Sequence, residues 1–254
     1  MIPRKIHQMW LNKEDPIISD KYNDKINTWK IPGYKYKLWN YENSYDLIKN
    51  NFNERVLDVF VNAIPTICKC DLARFCIVYV HGGIYCDLNF TCIDQNLEKY
   101  FKNKDIVLYK EPEAHYILGG EKLYNGIFAS VKKHPFIYGW IEKMTDYLIY
   151  NNYGSVQNVF YLTGPVAFLH YYKNYTNPPK LSDNCEALSI TYTGDVSSEC
   201  KNNDCPKYAI KHWGKDSNWL EREISKSHLN IFMIVIFFIL IIFVLMFIIM
   251  KWRY

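Results

Sequence analysis

DLARFCIVYVHGGIYCDLN, residues 71 to 89, sets three acidic or amide side chains and one arginine on a hydrophobic helix-turn-strand unit. Asp71 and Arg74 are three apart, so on a helix they share a face. Phe75, Ile77, Val78 and Val80 bury the rest of that helix. His81, Gly82 and Gly83 then end it with the positive-φ residues that a tight reversal needs. Ile84 and Tyr85 restart the chain as a buried strand that runs into Asp87-Leu88-Asn89. Strand side chains alternate, so Asp87 and Asn89 project to one side, at the spacing two oxygen ligands need to approach one divalent cation. An anionic ligand suits the same place, because the arginine lies within the unit.

Outward from this unit the pattern keeps alternating. Lys5 to Trp10 reads as a short strand, Ser19 to Lys30 as helical, and Tyr34 to Trp39 as a strand after the Pro32-Gly33 turn. Ser44 and Asn53 read as N-caps of two amphipathic helices. Strands near Ile106 to Tyr109 and Asn125 to Ser130 and a helix from Pro135 to Tyr150 follow. Lys173 to Cys205, rich in Asn, Ser, Pro and Gly, reads as irregular. The alternation predicts an α/β fold with a mixed, mostly parallel sheet flanked by helices and a ligand site at the carboxyl ends of its strands.

A chain of 254 residues, 49% hydrophobic and 17% aromatic, can bury one sizeable core. The net charge is +4 and the basic residues are dispersed, without the dense Lys/Arg run that tracks a nucleic-acid backbone, so no nucleic-acid partner is expected. Five of the eight cysteines, Cys68, Cys70, Cys76, Cys86 and Cys92, fall where buried thiols suit a helix and a strand, without metal-site spacing. Cys200 and Cys205 could pair in an oxidising lumen.

Further stretches join the 71 to 89 unit in order. They are IPRKIHQMW (2–10), PGYKYKLWNYEN (32–43), NGIFASVKKHPF (125–136), YLTGPVAF (161–168) and HWGKDSNW (212–219). Together, over roughly residues 1 to 220, they resemble the DxD sugar-binding glycosyltransferases of family 32. That family includes fungal outer-chain and inositol-phosphoceramide mannosyltransferases and, more distantly, glucosylating toxins. The resemblance implies a GT-A-like fold, a nucleotide-sugar donor and a Mn²⁺ or Mg²⁺ ion. One departure stands out: the second Asp of the DxD motif is Asn89 here.

The resemblance also assigns residues. Asp87 takes the place of the first DxD carboxylate, on the metal or the donor ribose, and Asn89 the place of the second. An amide oxygen ligates such an ion without adding charge, which implies a weakened site. Asp71 and Arg74 hold the transferred sugar, Arg74 being free to reach a phosphate; against this stands a plain ion pair on a helix face. Trp10 ends the first strand, where an indole stacks on a base or simply packs in the core. Asn125 borders the sugar or caps a turn. Ser217 and Trp219 match the motif that contacts the diphosphate, and His212 offers a further metal ligand or a structural imidazole. Gly164 and Pro165 shape a loop and a helix start, His7 reads as a satisfied core residue, and Glu111, Glu113 and His115 read as a solvated cluster.

Ile231 to Met250 is an unbroken apolar run, long enough at about 1.5 Å per residue to span a roughly 30 Å hydrocarbon core. It predicts a transmembrane helix over 229–250 behind a domain of residues 1–225. The flanking charges are nearly balanced. Met1 to Lys5 leads straight into a strand without a signal-peptide core, which points to a single-pass C-terminal anchor and a cytosol-facing domain, a Golgi or ER lumen being the alternative. Asn174-Tyr175-Thr176 would be a glycosylation sequon there.

The expected function is a membrane-anchored retaining hexosyltransferase. It would move a hexose, mannose first, from GDP-mannose or a UDP-hexose to a hydroxyl of a lipid-linked or glycan acceptor. Two alternatives stand beside it: a catalytically silent relative that binds a glycan, nucleotide or partner protein, and an effector that glycosylates host proteins.

Overall fold

A computed structural model of the chain describes residues 1–12, 18, 20–110, 123–182, 189–192, 195–196 and 208–212. In chain order the elements are β1 (Lys5–Met9), α1 (Asn23–Thr28), β2 (Lys35–Trp39), α2 (Tyr41–Asn51), α3 (Glu54–Asn62), α4 (Thr66–His81), β3 (Gly83–Cys86) and β4 (Phe90–Cys92). They continue with α5 (Glu98–Phe101), β5 (Ile106–Lys110), β6 (Leu123–Ser130), α6 (Pro135–Tyr150), α7 (Val159–Leu162), α8 (Pro165–Lys173), β7 (Ser189–Tyr192), β8 (Asp195–Val196) and β9 (Ala209–His212). Met1–Gly214 forms one compact unit.

The main sheet has five strands in the order β2-β1-β3-β6-β5. β1 pairs in parallel with β2 and with β3, β6 lies antiparallel to β3, and β5 antiparallel to β6. Four strands therefore run one way and β6 alone runs against them, making a mixed α/β sheet. A second sheet joins β4, β9, β7 and β8. Strands β7 and β8 fall inside the stretch expected to be irregular, a reading made from composition that could not anticipate pairing with the distant β9.

Position explains the long apolar run in the second half of α4. Leu72, Phe75, Cys76, Ile77 and Val78 have no solvent exposure, because the helix lies between the sheet and other helices. Phe75 stacks on Phe128 of β6 at 4.5 Å, meets Phe168 of α8 at 5.0 Å and meets the edge of Trp140 of α6 at 6.2 Å. Gly82 (φ 61°) and Gly83 (φ 108°) turn the chain out of α4 as expected. A Cβ on Gly83 would lie 2.5 Å from the Lys5 carbonyl oxygen, so the entry of β3 beside β1 requires glycine on two counts.

Two local expectations are corrected. Ser44 does not cap a helix: Asn40 does, its side chain accepting from the Asn43 backbone N–H while Asn43 accepts from that of Asn40. That reciprocal box starts α2 earlier and leaves Ser44 buried within it. Asn53 caps α3 as expected, accepting from the Val56 N–H at 3.1 Å. The strand through Asp87 also stops short: β3 ends at Cys86, and Phe90 N–H donates to the Asp87 carbonyl at 3.2 Å across a turn. Chain reversal into β4 of the second sheet imposes that turn, so strand alternation does not set the directions of Asp87 and Asn89.

Among the described residues no helix is long and apolar enough to cross a membrane. The transmembrane expectation for 229–250, with Ser217, Trp219, Cys200, Cys205, Glu111, Glu113 and His115, lies outside the described residues.

Candidate functional site

Parallel pairing brings the carboxyl ends of β1, β2 and β3 to one edge, at Met9, Trp39 and Cys86. Asp87 is the first residue beyond β3, and its N–H donates to Gly126 of β6 at 2.8 Å. Asn125 precedes that glycine, and α4 runs behind the sheet carrying Asp71 and Arg74. Asp71, Arg74, Asp87 and Asn125 therefore meet although 54 positions separate the outermost of them.

The Arg74 guanidinium is the hub. Nη2 lies 3.1 Å from Asp71 Oδ1, and Nη1 lies 3.4 Å from Asp87 Oδ1. Nη1 also donates to the Asn125 carbonyl at 2.9 Å, and Nε donates to the Cys70 carbonyl at 3.2 Å. The Tyr85 ring lies 5.1 Å from the guanidinium carbon, and its hydroxyl donates to Asp87 Oδ1 at 2.8 Å. Side-chain exposure separates the roles: Asp71 and Arg74 are 4% exposed and Asp87 31%. Arg74 is thus not free to reach a phosphate, because buried acceptors already claim its N–H groups.

Asp71 is held on both oxygens. Asn125 Nδ2 donates to Oδ1 at 3.0 Å and Thr163 Oγ1 donates to Oδ2 at 2.8 Å. Burial pushes its carboxyl up to about 6, against the opposing pull of Arg74 and the Thr163 hydrogen bond. Burial alone would lower the Arg74 pKa, but Tyr85, Asp87 and Asp71 outweigh it and hold the group charged.

The surrounding residues fix Asp87. Gln8 Nε2 donates to its carbonyl at 3.2 Å, and Tyr36 OH donates to Gln8 Oε1 at 2.9 Å. A Cβ on Gly126 would lie 2.6 Å from Asp87 Oδ2, so the glycine keeps room for the carboxylate. Trp10, half-buried, packs on a cluster of Tyr22, Ile26 and Leu88, which puts it beside the Asp87-Leu88-Asn89 turn. Asn89 Oδ1 is buried without a hydrogen-bond partner among the described residues. Phe90 pairs with Lys211 in the antiparallel β4–β9 ladder, and His212 is the next and last residue of β9.

Among the described residues no three His, Cys, Asp or Glu side chains converge as a metal site. The donor set still fits a hard cation in part, since Asp87 offers a partly open carboxylate and Asn89 an oxygen lacking a hydrogen. His7 is the satisfied core residue expected: Trp39 Nε1 donates to Nδ1 at 3.2 Å, and Nε2 lies 2.9 Å from the Gly82 carbonyl, to which it donates. Pro165 opens α8 as expected. Thr163, Tyr85 and Gln8 went unassigned in the sequence. Thr163 lies in the quoted TGP stretch and Tyr85 two residues before Asp87, so nearness to these motifs could have flagged both. Nothing local flags Gln8.

Residues 19–107 match the family described as the glycosyltransferase sugar-binding region containing DXD motif. The chain is 27% identical over 196 residues to uncharacterized glycosyltransferase L373 of Acanthamoeba polyphaga mimivirus, covering 72% of this chain and 69% of that protein. It is 26% identical over 183 residues to inositol phosphoceramide mannosyltransferase 1 of Schizosaccharomyces pombe, covering 70% and 53%. With mannosyl phosphorylinositol ceramide synthase SUR1 of Saccharomyces cerevisiae it shares 27% identity over 177 residues, covering 69% and 43%. The match thus spans about half the length of these two yeast proteins. The solved PaToxG glycosyltransferase overlays at a TM-score of 0.47 with 18% identity, over 67% of this chain and 68% of that one.

Proposed function

We propose that the chain, whose residues 19–107 match the DXD sugar-binding region and which resembles inositol phosphoceramide mannosyltransferase 1, is a membrane-anchored, GT-A-like retaining hexosyltransferase of that family. Its donor is a nucleotide sugar, GDP-mannose first and a UDP-hexose second, and its acceptor a hydroxyl of a lipid-linked or glycan acceptor. The observation that carries this reading is Arg74 held between Asp71 and Asp87 where the parallel strands end.

A nucleotide-sugar donor leaves as a diphosphate, so the transferase must meet negative charge that grows as the glycosidic bond breaks. Asp87 and Asn89 would hold a divalent ion, whose charge stabilises that leaving group when bound. Asp87 is the partly open carboxylate of the cluster. Tyr85, Gln8 and Gly126 fix its position before a ligand arrives, which lowers the reorganisation left for the reaction. The Asp71–Arg74 pair forms the floor of the sugar subsite, where Thr163 and Asn125 prevent it from turning. Trp10 would flank the base, and the family resemblance assigns Ser217 and Trp219 to the diphosphate. Without a second carboxylate placed as a nucleophile among the described residues, retention would proceed by internal return, the leaving phosphate taking the acceptor proton.

The full chain, incubated with separate UDP- and GDP-sugars plus Mn²⁺, should release nucleotide from one donor class. No release from any donor by folded protein would replace this reading with that of a silent binding protein, which the neutral Asn89 favours.

A further inference from the structure

The amino ends of β1 and β2, the exposed side of β2 and the turn after β6 carry positive charge outside the Asp71–Arg74–Asp87 cluster. In the parallel β1–β2 pair Lys5 stands beside Lys35 and His7 beside Lys37, so three lysines share one face at the sheet edge. Lys37 Nζ lies 3.5 Å from the centre of the Trp39 ring, which packs on His81, the last residue of α4, at 5.4 Å. Lys132 reaches the same place from the turn after β6: a Cβ on Gly82, next to His81, would lie 2.9 Å from its backbone nitrogen.

Lys35, Lys37 and Lys132 are exposed, and Lys5 and His81 half-buried. Their crowding is electrostatically visible. Burial and then Lys132 and Lys35 lower Lys5, while burial and then Lys5, Lys37 and Lys132 lower His81. The nearby carboxylate of Glu98 is paired with Arg4. Among the described residues none of the four lysines makes an ion pair.

We propose that this face docks on an anionic bilayer surface, with Lys5, Lys35, Lys37 and Lys132 set against negatively charged headgroups. The lysines spread over an exposed strand edge and a turn, which suits a diffuse layer of charge. The inference rests on the membrane-anchor reading, since the Ile231 to Met250 run would hold the domain beside a bilayer.

The test uses the full chain reconstituted in nanodiscs of phosphatidylcholine, with or without phosphatidylserine, and lysine labelling by an amine reagent read by mass spectrometry. Lys5, Lys37 and Lys132 should be several-fold protected in the anionic discs relative to Lys49 and Lys143. High salt, and the exposed-site double variant Lys37→Glu with Lys132→Glu, should remove that protection. Equal labelling in both discs overturns the proposal, as does binding to heparin that matches or exceeds binding to anionic lipid. A chain that does not co-elute with discs overturns the anchor instead. Cosedimentation with vesicles of the same lipids then decides the patch, salt-sensitive binding to the anionic vesicles supporting it and no binding overturning it.

Discussion

The Thr163 hydroxyl donates to Oδ2 of Asp71 at 2.8 Å across 92 positions of sequence. Both residues are buried, Thr163 completely and Asp71 to 3% exposure. Thr163→Val keeps the shape and removes the donor, leaving a buried carboxylate oxygen short of a hydrogen bond at a cost of about 1–3 kcal/mol. Denaturant unfolding should show that loss, and Thr163→Ser should recover most of it. Wild-type stability in the valine variant would remove Thr163 from the network.

Gly126 is a site residue through the room it leaves. A Cβ there would lie 2.5 Å from the Tyr124 hydroxyl and 2.6 Å from Asp87 Oδ2, both of them ends of movable side chains. Gly126→Ala should therefore fold with a penalty of about 1–3 kcal/mol while displacing Asp87. Donor turnover should fall on the order of a hundredfold. Turnover within a factor of two of wild type would show that Asp87 need not occupy its present position.

Asn89→Asp adds one negative charge beside Asp87. If these two residues hold the ion, the Mn²⁺ concentration giving half-maximal nucleotide release should drop roughly tenfold. Asp87→Ala should abolish metal-dependent donor binding with the fold intact, as read by circular dichroism and calorimetry. Full turnover by Asp87→Ala would sink the site assignment.

His7 makes stability depend on pH. Burial lowers its pKa to about 4 from an ordinary 6.5, so the unfolded chain takes up the proton first. Its contribution is fully present above pH 6.5 and is lost as pH falls toward 4, amounting to about 3 kcal/mol. Asp71, raised by burial, has the opposite sign, gaining stability over part of the same window. His7→Gln can keep both hydrogen bonds and does not titrate, so the difference between wild type and variant isolates His7. Unfolding midpoints of the two proteins should diverge between pH 7 and pH 4.5, the wild type losing more. Parallel curves would refute the assignment.

Local rules were sufficient wherever the cause of a structure lies within one turn or one strand. The α4 helix, its exit through Gly82 and Gly83, the α3 cap at Asn53 and the start of α6 at Pro135 were legible this way. So was the pairing of Asp71 with Arg74, because three residues on a helix bring side chains to one face. Composition and ordered motifs likewise carried the α/β class and the family resemblance.

Tertiary structure alone settled what depends on partners far away in sequence. The cap of α2 at Asn40 in place of Ser44 is a different case, a choice between two local bond patterns three residues long. The turn at Asp87 arises because the chain leaves one sheet for the other, which no alternation rule encodes. Whether Arg74 is free or saturated depends on Asn125, Cys70, Asp71 and Asp87 arriving together. Gln8, Tyr36 and Thr163 join the site only because parallel pairing and helix packing carry them there. A hydrogen bond is a matter of a few ångströms and directions, and those are properties of the folded chain.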